Sequence, residues 1–451
     1  MGLLWFFVAE TVSGQASLTL PQANIENGQQ YKIQLATTTY NQLLSVAPKI
    51  YMSAESVLNS GVNTIPPERI GVQLVSVGGV TLLTSTTKVN LSLISQTVYN
   101  GLLGLLPGSV IIEYTIPVSG YAWVAGKYTT NLLFDLGGIS VATIASPKLL
   151  TLTIPSFITF QPAGNILLHV DNLSYFRSQG ISAQQNLSLA TTVAHGIRLK
   201  TASGTFGYVP HADYSNAPDP HTPVGQVQVQ LTGTSPGPPV APSTDFQVLT
   251  PSGGLPVVAG NHNTDMLTYT LSPSALKAGF VQAGAYTANL AYEAFDAGAV
   301  PQAGPVGQAS VLTVQVDDMS ELKVNDPGIE LAFGGTADYA QGVSAELPTH
   351  LTLSKTTPYE VYIKATSATL NDGQQHTIPV SVVQVGPAAG QAGVTAIQLS
   401  ETPQKIIDGA APVVDRTVGI RYSISPEAAQ GLLGKPAGNY TTTVIYSFTA
   451  L

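Results

Sequence analysis

The chain has no cysteine in its 451 residues and little charge, with only 17 Lys and Arg and 26 Asp and Glu. The missing thiols exclude a disulfide scaffold, a thiolate metal site and a cysteine nucleophile. They leave export open, because units of domain size bury enough surface without cross-links. A formal charge of -9 with no basic stripe argues against a nucleic-acid partner, which needs clustered cations. Beyond the first residues, no stretch approaches the roughly 18 to 20 uninterrupted apolar residues of a membrane helix. Also missing are a Gly-x-Ser-x-Gly elbow, a His-Glu-x-x-His pair and a Gly-rich phosphate loop. Of the seven histidines, only His221 and His376 recur in similar surroundings, before Thr-Pro and Thr-Ile-Pro, where they suit loop fixing. These absences read as a protein with no catalytic residue, no cofactor and no metal. Only a carboxylate pair assembled in three dimensions stays open.

What the sequence does have is Thr, Ser, Asn and Gln, a polar surface suited to β-sheets. The start, "MGLLWFFVAETVSGQASLTL", has a short apolar core from Leu3 to Ala9 followed by small residues. It resembles a secretory signal peptide over residues 1–14, cut after Gly14 or Ala16, although an early Lys or Arg is missing. The same seven residues also suit a buried strand. Three near-copies of eleven residues stand at Ala125 ("AGKYTTNLLFD"), Ala283 ("AGAYTANLAYE") and Ala437 ("AGNYTTTVIYS"). A second marker precedes each, at Thr64 ("TIPP"), Thr222 ("TPVG") and Thr377 ("TIPV"), separated from it by 61, 61 and 60 residues. Two markers holding one spacing three times predict internal duplication.

Gln185–Phe206 also aligns without a gap on Thr349–Leu370, and both contain two alternating runs around a polar turn, which predicts a hairpin. Residues 16–40 offer a diverged first copy. Tyr114, Tyr269 and Tyr422 lie on a strand before each Ala-Gly copy, and Ser425-Pro426 suits the start of a short helix. In the final strand Tyr440, Thr442, Val444, Tyr446 and Phe448 form the expected core face, opposite a Thr-rich solvent face. Tyr128, Tyr286 and Tyr440 are expected to be buried at the start of the last strand of each unit. The fold class is all-β: three tandem Ig-like, pilin-like Greek-key β-sandwiches over residues 15–147, 148–316 and 317–451.

The middle unit is larger, and its insert around "GYVPHADYSNAPDPHTP" holds His211, Asp213, Asp219 and His221. Their spacing fits no established metal motif, so an exposed polar loop is the reading. Asn261, His262, Asn263 and Asp265 likewise lack the pattern of a calcium loop. In the same insert Tyr208 and Tyr214 could stack on a sugar or another ligand, with Asp213 and Asn216 supplying polar contacts.

The ending "AGNYTTTVIYSFTAL" resembles the last strand of bacterial spore-coat-U-like and fimbrial-subunit domains. Gly438 and Tyr440 match their turn, and residues 441–449 match their terminal strand; Gly126 with Tyr128 and Gly284 with Tyr286 repeat it. The resemblance implies export through the periplasm of a Gram-negative bacterium to its outer surface, structural or adhesive use, and completion of a sandwich by a neighbour's strand. The chain departs from that pattern in having no cysteine pair and in fusing three units. A free donor strand is not evident either; residues 15–20 are the one candidate. The expected function is therefore a noncatalytic surface or secreted component, fimbria-like. Its partners would be surface proteins or glycans, with self-association by strand addition. The alternative is a secreted carbohydrate- or ligand-binding protein using the middle unit.

Overall fold

A computed structural model describes residues 15–41, 46–78, 80–82, 86–101, 108–139, 143–161, 163–214, 216–233 and 235–450. The expected signal peptide lies outside these residues. The chain folds as three β-sandwiches in tandem. The principal strands of the first are β1 (Gln15–Thr19), β2 (Tyr31–Tyr40), β3 (Val46–Ala54), β4 (Gly71–Val77), β5 (Gln96–Asn100), β6 (Gly108–Ile116), β7 (Gly126–Ile139) and β8 (Lys148–Ile154). One sheet runs β1-β8-β7-β3-β5, and the facing sheet has β2-β6-β4 at its centre.

The middle sandwich contains β9 (Ile158–Phe160), β10 (Ile166–Val170), β11 (Ile181–Thr191), β12 (His195–Thr201), β13 (Gln228–Thr232), β14 (His262–Leu271), β15 (Gly284–Asp296) and β16 (Val306–Val316). Its sheets run β9-β11-β14-β13 and β10-β16-β15-β12. In the third are β17 (Ser320–Val324), β18 (Val343–Lys355), β19 (Tyr359–Ala365), β20 (Gln384–Pro387), β21 (Gln404–Ala410), β22 (Val413–Ile424) and β23 (Val444–Ala450). Here the sheets are β17-β18-β22-β20 and β21-β19-β23.

Strand alternation builds each core. In β15, Tyr286, Ala288, Leu290, Tyr292 and Ala294 are buried, while Thr287, Asn289 and Glu293 face outward. Each fully buried large apolar side chain contributes roughly 1.5–3 kcal/mol. Tyr114 on β6 and Tyr269 on β14 are both fully buried, and their hydroxyls are bonded inside the core, Tyr114 to Thr37 and Tyr269 to Gln185, each at 2.9 Å. Short helices close the ends, among them α1 (Gln22–Glu26), α2 (Pro273–Gly279), α3 (Thr336–Gln341) and α4 (Pro426–Gln430). Ser272 and Ser425 cap α2 and α4 by accepting from the N–H groups of Ala275 and Ala428.

Three expectations are corrected here. The two alternating runs around Thr192 are not a hairpin. β11 pairs with β9 and β14, β12 pairs with β15, and the chain arches from one sheet to the other. Alternation reports a buried face on each strand and is silent about which sheet it joins. The boundary at residue 148 also moves, because β8 lies between β1 and β7 of the first sandwich. Finally, β1 occupies residues 15–19 of the first unit's own sheet, so that segment is not a free donor.

Candidate functional site

The loop residues of the middle unit do not converge. Tyr208 is half-buried against Tyr286, with ring centroids 4.9 Å apart. Its hydroxyl donates to the Ala283 carbonyl at 2.6 Å and accepts from Gln282 Nε2 at 2.9 Å. Asp213 projects into solvent beside His211, Asn216 is exposed, and the Tyr214 hydroxyl is buried with no partner among the described residues. His211 lies 3.5 Å from Asp213 and His221 lies 3.7 Å from Asp219, as two separate exposed pairs. No group of three metal-ligating side chains occurs among the described residues.

Asn261 has a different duty. It is fully buried in a left-handed conformation (φ 61°) where the first and second sandwiches meet. Its side-chain oxygen accepts from the Trp123 N–H at 3.0 Å, and its Nδ2 donates to the carbonyls of Trp123 and Thr191 at 2.8 and 2.7 Å. His262 reaches the Glu26 carbonyl at 2.6 Å, and Asp265 faces His195 at 3.4 Å. Asn263 is buried, and its Oδ1 has no hydrogen-bond partner among the described residues, while the other three serve separate contacts.

The feature that separates the third sandwich from the other two is a strand position. In the first, β8 lies parallel to β1 and antiparallel to β7, so that Leu152 stands between Leu18 and Tyr128. In the second, β16 lies the same way between β10 and β15, and Val314 stands between Leu168 and Tyr286. In the third, residues 329–333 stand in the chain where β10 stands in the second, and they pack on the same core as the chain from Gly438 through β23. Among the described residues no strand lies between them.

Sequence reasoning placed Tyr440 at the start of a last strand with its ring buried. Tyr128 and Tyr286 are buried, but each strand that carries them is followed by one more, and that extra strand covers the ring. Tyr440 has no such cover. It is half-buried, precedes β23 and donates its hydroxyl to the Pro436 carbonyl at 2.9 Å. Thr442, Val444, Tyr446 and Phe448 on one wall, and Ile329, Leu331 and Phe333 on the other, are likewise only half-buried. The result is an apolar groove beside β23, whose outer edge has no partner strand among the described residues, with Ile329, Leu331 and Phe333 packed on the same core.

Polar groups lie in the core near this groove. Tyr422 and Tyr446 share a hydrogen bond of 2.5 Å, and His350 packs edge-on to both rings at 5.8 and 5.6 Å. Burial pushes the Tyr422 hydroxyl up to about 12, against the opposing effect of the bond from Tyr446. In the middle unit the matching pair, Tyr269 and Tyr292, bonds to Gln185, which in turn reaches Ser310 of β16 at 3.4 Å. The inserted strand there completes a polar network. In the third unit His350 is fully buried, and neither ring nitrogen has a partner among the described residues.

Burial holds the His350 imidazole below its ordinary value, while nearby Asp326 pulls the other way. The neutral form is thus favoured in the fold, and the unfolded chain binds the proton more readily. Stability of the third unit should be complete above about pH 6.5 and decline as pH falls below it, by no more than about 1.4 kcal/mol per pH unit. Urea unfolding between pH 7.5 and 5 checks this, and His350→Phe should flatten the dependence.

No protein family profile matches the chain, and no curated protein does. Among solved structures the chain is similar to CfaE, the adhesive subunit of CFA/I fimbria of enterotoxigenic Escherichia coli. The identity is 11%, covering 68% of this chain and 100% of that one, with a TM-score of 0.29. It is also similar to the CsuC-CsuE chaperone–tip adhesion subunit complex of archaic chaperone-usher Csu pili of Acinetobacter baumannii. There the identity is 10%, covering 64% and 99%, with a TM-score of 0.32. The CupB6 tip adhesin of Pseudomonas aeruginosa gives 10% identity, coverage of 64% and 90%, and a TM-score of 0.23.

Proposed function

We propose that the protein is a noncatalytic, structural or adhesive component of a fibre on the outer surface of a Gram-negative bacterium. It joins its assembly by accepting a β-strand into the third sandwich. One observation carries this reading: in two sandwiches the strand bearing the repeated tyrosine has a further strand on its outer edge, and among the described residues that edge of β23 has none. An incoming strand with alternating apolar residues would satisfy the backbone groups of that edge and cover Tyr440, Val444, Leu331 and Phe333. The polar, low-charge strand surfaces suit a structural role, and no constellation of acid, base and nucleophile argues for turnover.

The test uses a synthetic peptide with the sequence of Lys148–Ile154, which fills the corresponding place in the first sandwich. Added to the whole chain, it should raise the melting temperature of the third unit by about 5 °C or more at saturation. Hydrogen exchange should slow at residues 329–333 and 438–448. A scrambled peptide should do neither. Unchanged exchange at both walls under saturating peptide would sink the proposal. Recovery of the intact protein only in cytosol, with Met1 retained, would sink the surface assignment.

A further inference from the structure

The two internal boundaries of the chain are built alike, down to single hydrogen bonds. At the first, Thr192 is fully buried in the arch that follows β11. Its N–H donates to the Phe157 carbonyl at 3.2 Å, and its hydroxyl accepts from the Phe157 N–H at 3.1 Å and donates to the Pro155 carbonyl at 2.7 Å. Its carbonyl accepts from the Ala125 N–H at 2.7 Å. At the second boundary Thr356 does the same with Met319, Asp317 and Ala283. Its N–H donates to Met319 at 3.1 Å, its hydroxyl accepts from the Met319 N–H at 2.7 Å and donates to the Asp317 carbonyl at 2.8 Å, and its carbonyl accepts from Ala283 at 2.7 Å.

Ala125 and Ala283 open the first two copies of the repeated eleven residues, and both are buried against the following sandwich. Ala125 even belongs to the apolar core of the middle unit. Pro155–Phe157 and Asp317–Met319 directly continue β8 and β16, the strands that complete the preceding sandwiches. Strand and joint are thus one continuous device. A completing strand ends three residues before an apolar residue that is gripped by a buried threonine, and that threonine also takes the alanine N–H of the sandwich just completed.

The third copy of the alanine is Ala437. It is exposed, and its N–H has no partner among the described residues. We infer that the Ala437 end of the third sandwich is a further joint of this construction. The partner it fits is another β-sandwich subunit with two properties. Its first strand is preceded by an alternating apolar segment that fills the groove, and its arch carries a buried threonine that accepts the Ala437 N–H on its carbonyl. This rests on the strand-addition reading and adds to it the backbone contact at Ala437.

A second copy of this chain is a poor fit, because no threonine stands between its β2 and β3, where residues 41–45 read Asn-Gln-Leu-Leu-Ser. The inference therefore commits to a different subunit whose arch is free.

The register of β16 also predicts the partner's inward residues. Positions opposite Gly438, Tyr440 and Thr442 correspond to Val316, Val314 and Leu312 and call for aliphatic side chains. The position opposite Val444 corresponds to Ser310, which pairs with Leu290 and extends the hydroxyl network of the middle core. A small hydroxyl residue is expected there, close to Tyr446, the Tyr422 partner.

The test extends the whole chain: residues 1–450 followed by a second copy of residues 140–316, which supplies the connection, the completing strand and a sandwich with a free Thr192 arch. Two readouts separate the two ideas. The melting temperature of the third unit reports the strand, and spin-label distances between the third and appended sandwiches report the joint. The expected result is a higher melting temperature together with a narrow distance distribution. Ala437→Lys should broaden that distribution by about twofold while leaving the higher melting temperature in place. In the unextended chain Ala437→Lys should change nothing, since the side chain is exposed. A raised melting temperature with distances indifferent to Ala437→Lys overturns the joint and leaves strand addition standing. No rise in melting temperature overturns strand addition and the joint with it.

Discussion

Tyr286→Ala should destabilise the middle sandwich by about 4 kcal/mol, while the same change at Tyr440 should cost the third under about 1 kcal/mol. The two tyrosines occupy equivalent places in the repeat, so local sequence predicts one effect for both. Their surroundings differ. Tyr286 is fully buried, packs against Tyr208 and Phe280 at 4.9 and 5.0 Å, and lies beneath Val314 of β16. Truncating it leaves a cavity that neighbouring strands cannot collapse into. Tyr440 lies in the open groove, and water already reaches its ring. Chemical denaturation resolved by unit is the measurement. An equal, large cost at both positions would mean that the groove is already covered in solution.

Asn261→Ala should be comparably severe, at about 3–4 kcal/mol, and it should also uncouple the first two sandwiches. The substitution strands the N–H and carbonyl of Trp123 in a site from which water is excluded, at about 1–3 kcal/mol for each unsatisfied group. It also places alanine in a left-handed backbone that asparagine and glycine tolerate better. Asn261→Gly keeps the backbone relaxed and loses only the side-chain bonds, so the difference between the two variants isolates the conformational part. Calorimetry should show one joint transition for the first two units in the parent and two separate ones in Asn261→Ala. A single unshifted transition in both variants would contradict the assigned role.

The tandem sandwiches were legible because duplication leaves spacing and alternation in the residues themselves. Thr64 to Ala125 and Thr222 to Ala283 hold the same interval, and Tyr286 to Ala294 alternate cleanly. What was not legible depends on long-range pairing. The runs around Thr192 look like a hairpin until their partners on different sheets are known. β8 follows the first Ala-Gly copy and leads straight into the second unit, so its residues fit either side of a boundary. The groove was hidden for a related reason: Tyr440 and Phe448 carry the same pattern as Tyr286 and Ala294, and only a strand elsewhere in the chain distinguishes covered from open. The insert of the middle unit hid a contact of the same long-range kind. Tyr208 looked free in a polar insert, yet its hydroxyl is bound to the backbone beside Ala283.

The parallel pairing of β1 with β8, and of β10 with β16, decides how the molecule would respond to tension along the chain. Pull enters the first sandwich at Gln15 and leaves at Ile154, at opposite ends of two neighbouring strands. The evenly spaced bonds between them are loaded together in shear, and none can open without the rest. In an antiparallel pair held at adjacent ends, the same pull would peel the bonds apart one at a time. The middle sandwich is loaded in the same way through Ile166 and Val316. A strand seated beside residues 329–333 would extend that shear geometry into the third, making its seam load-carrying rather than a mere cover.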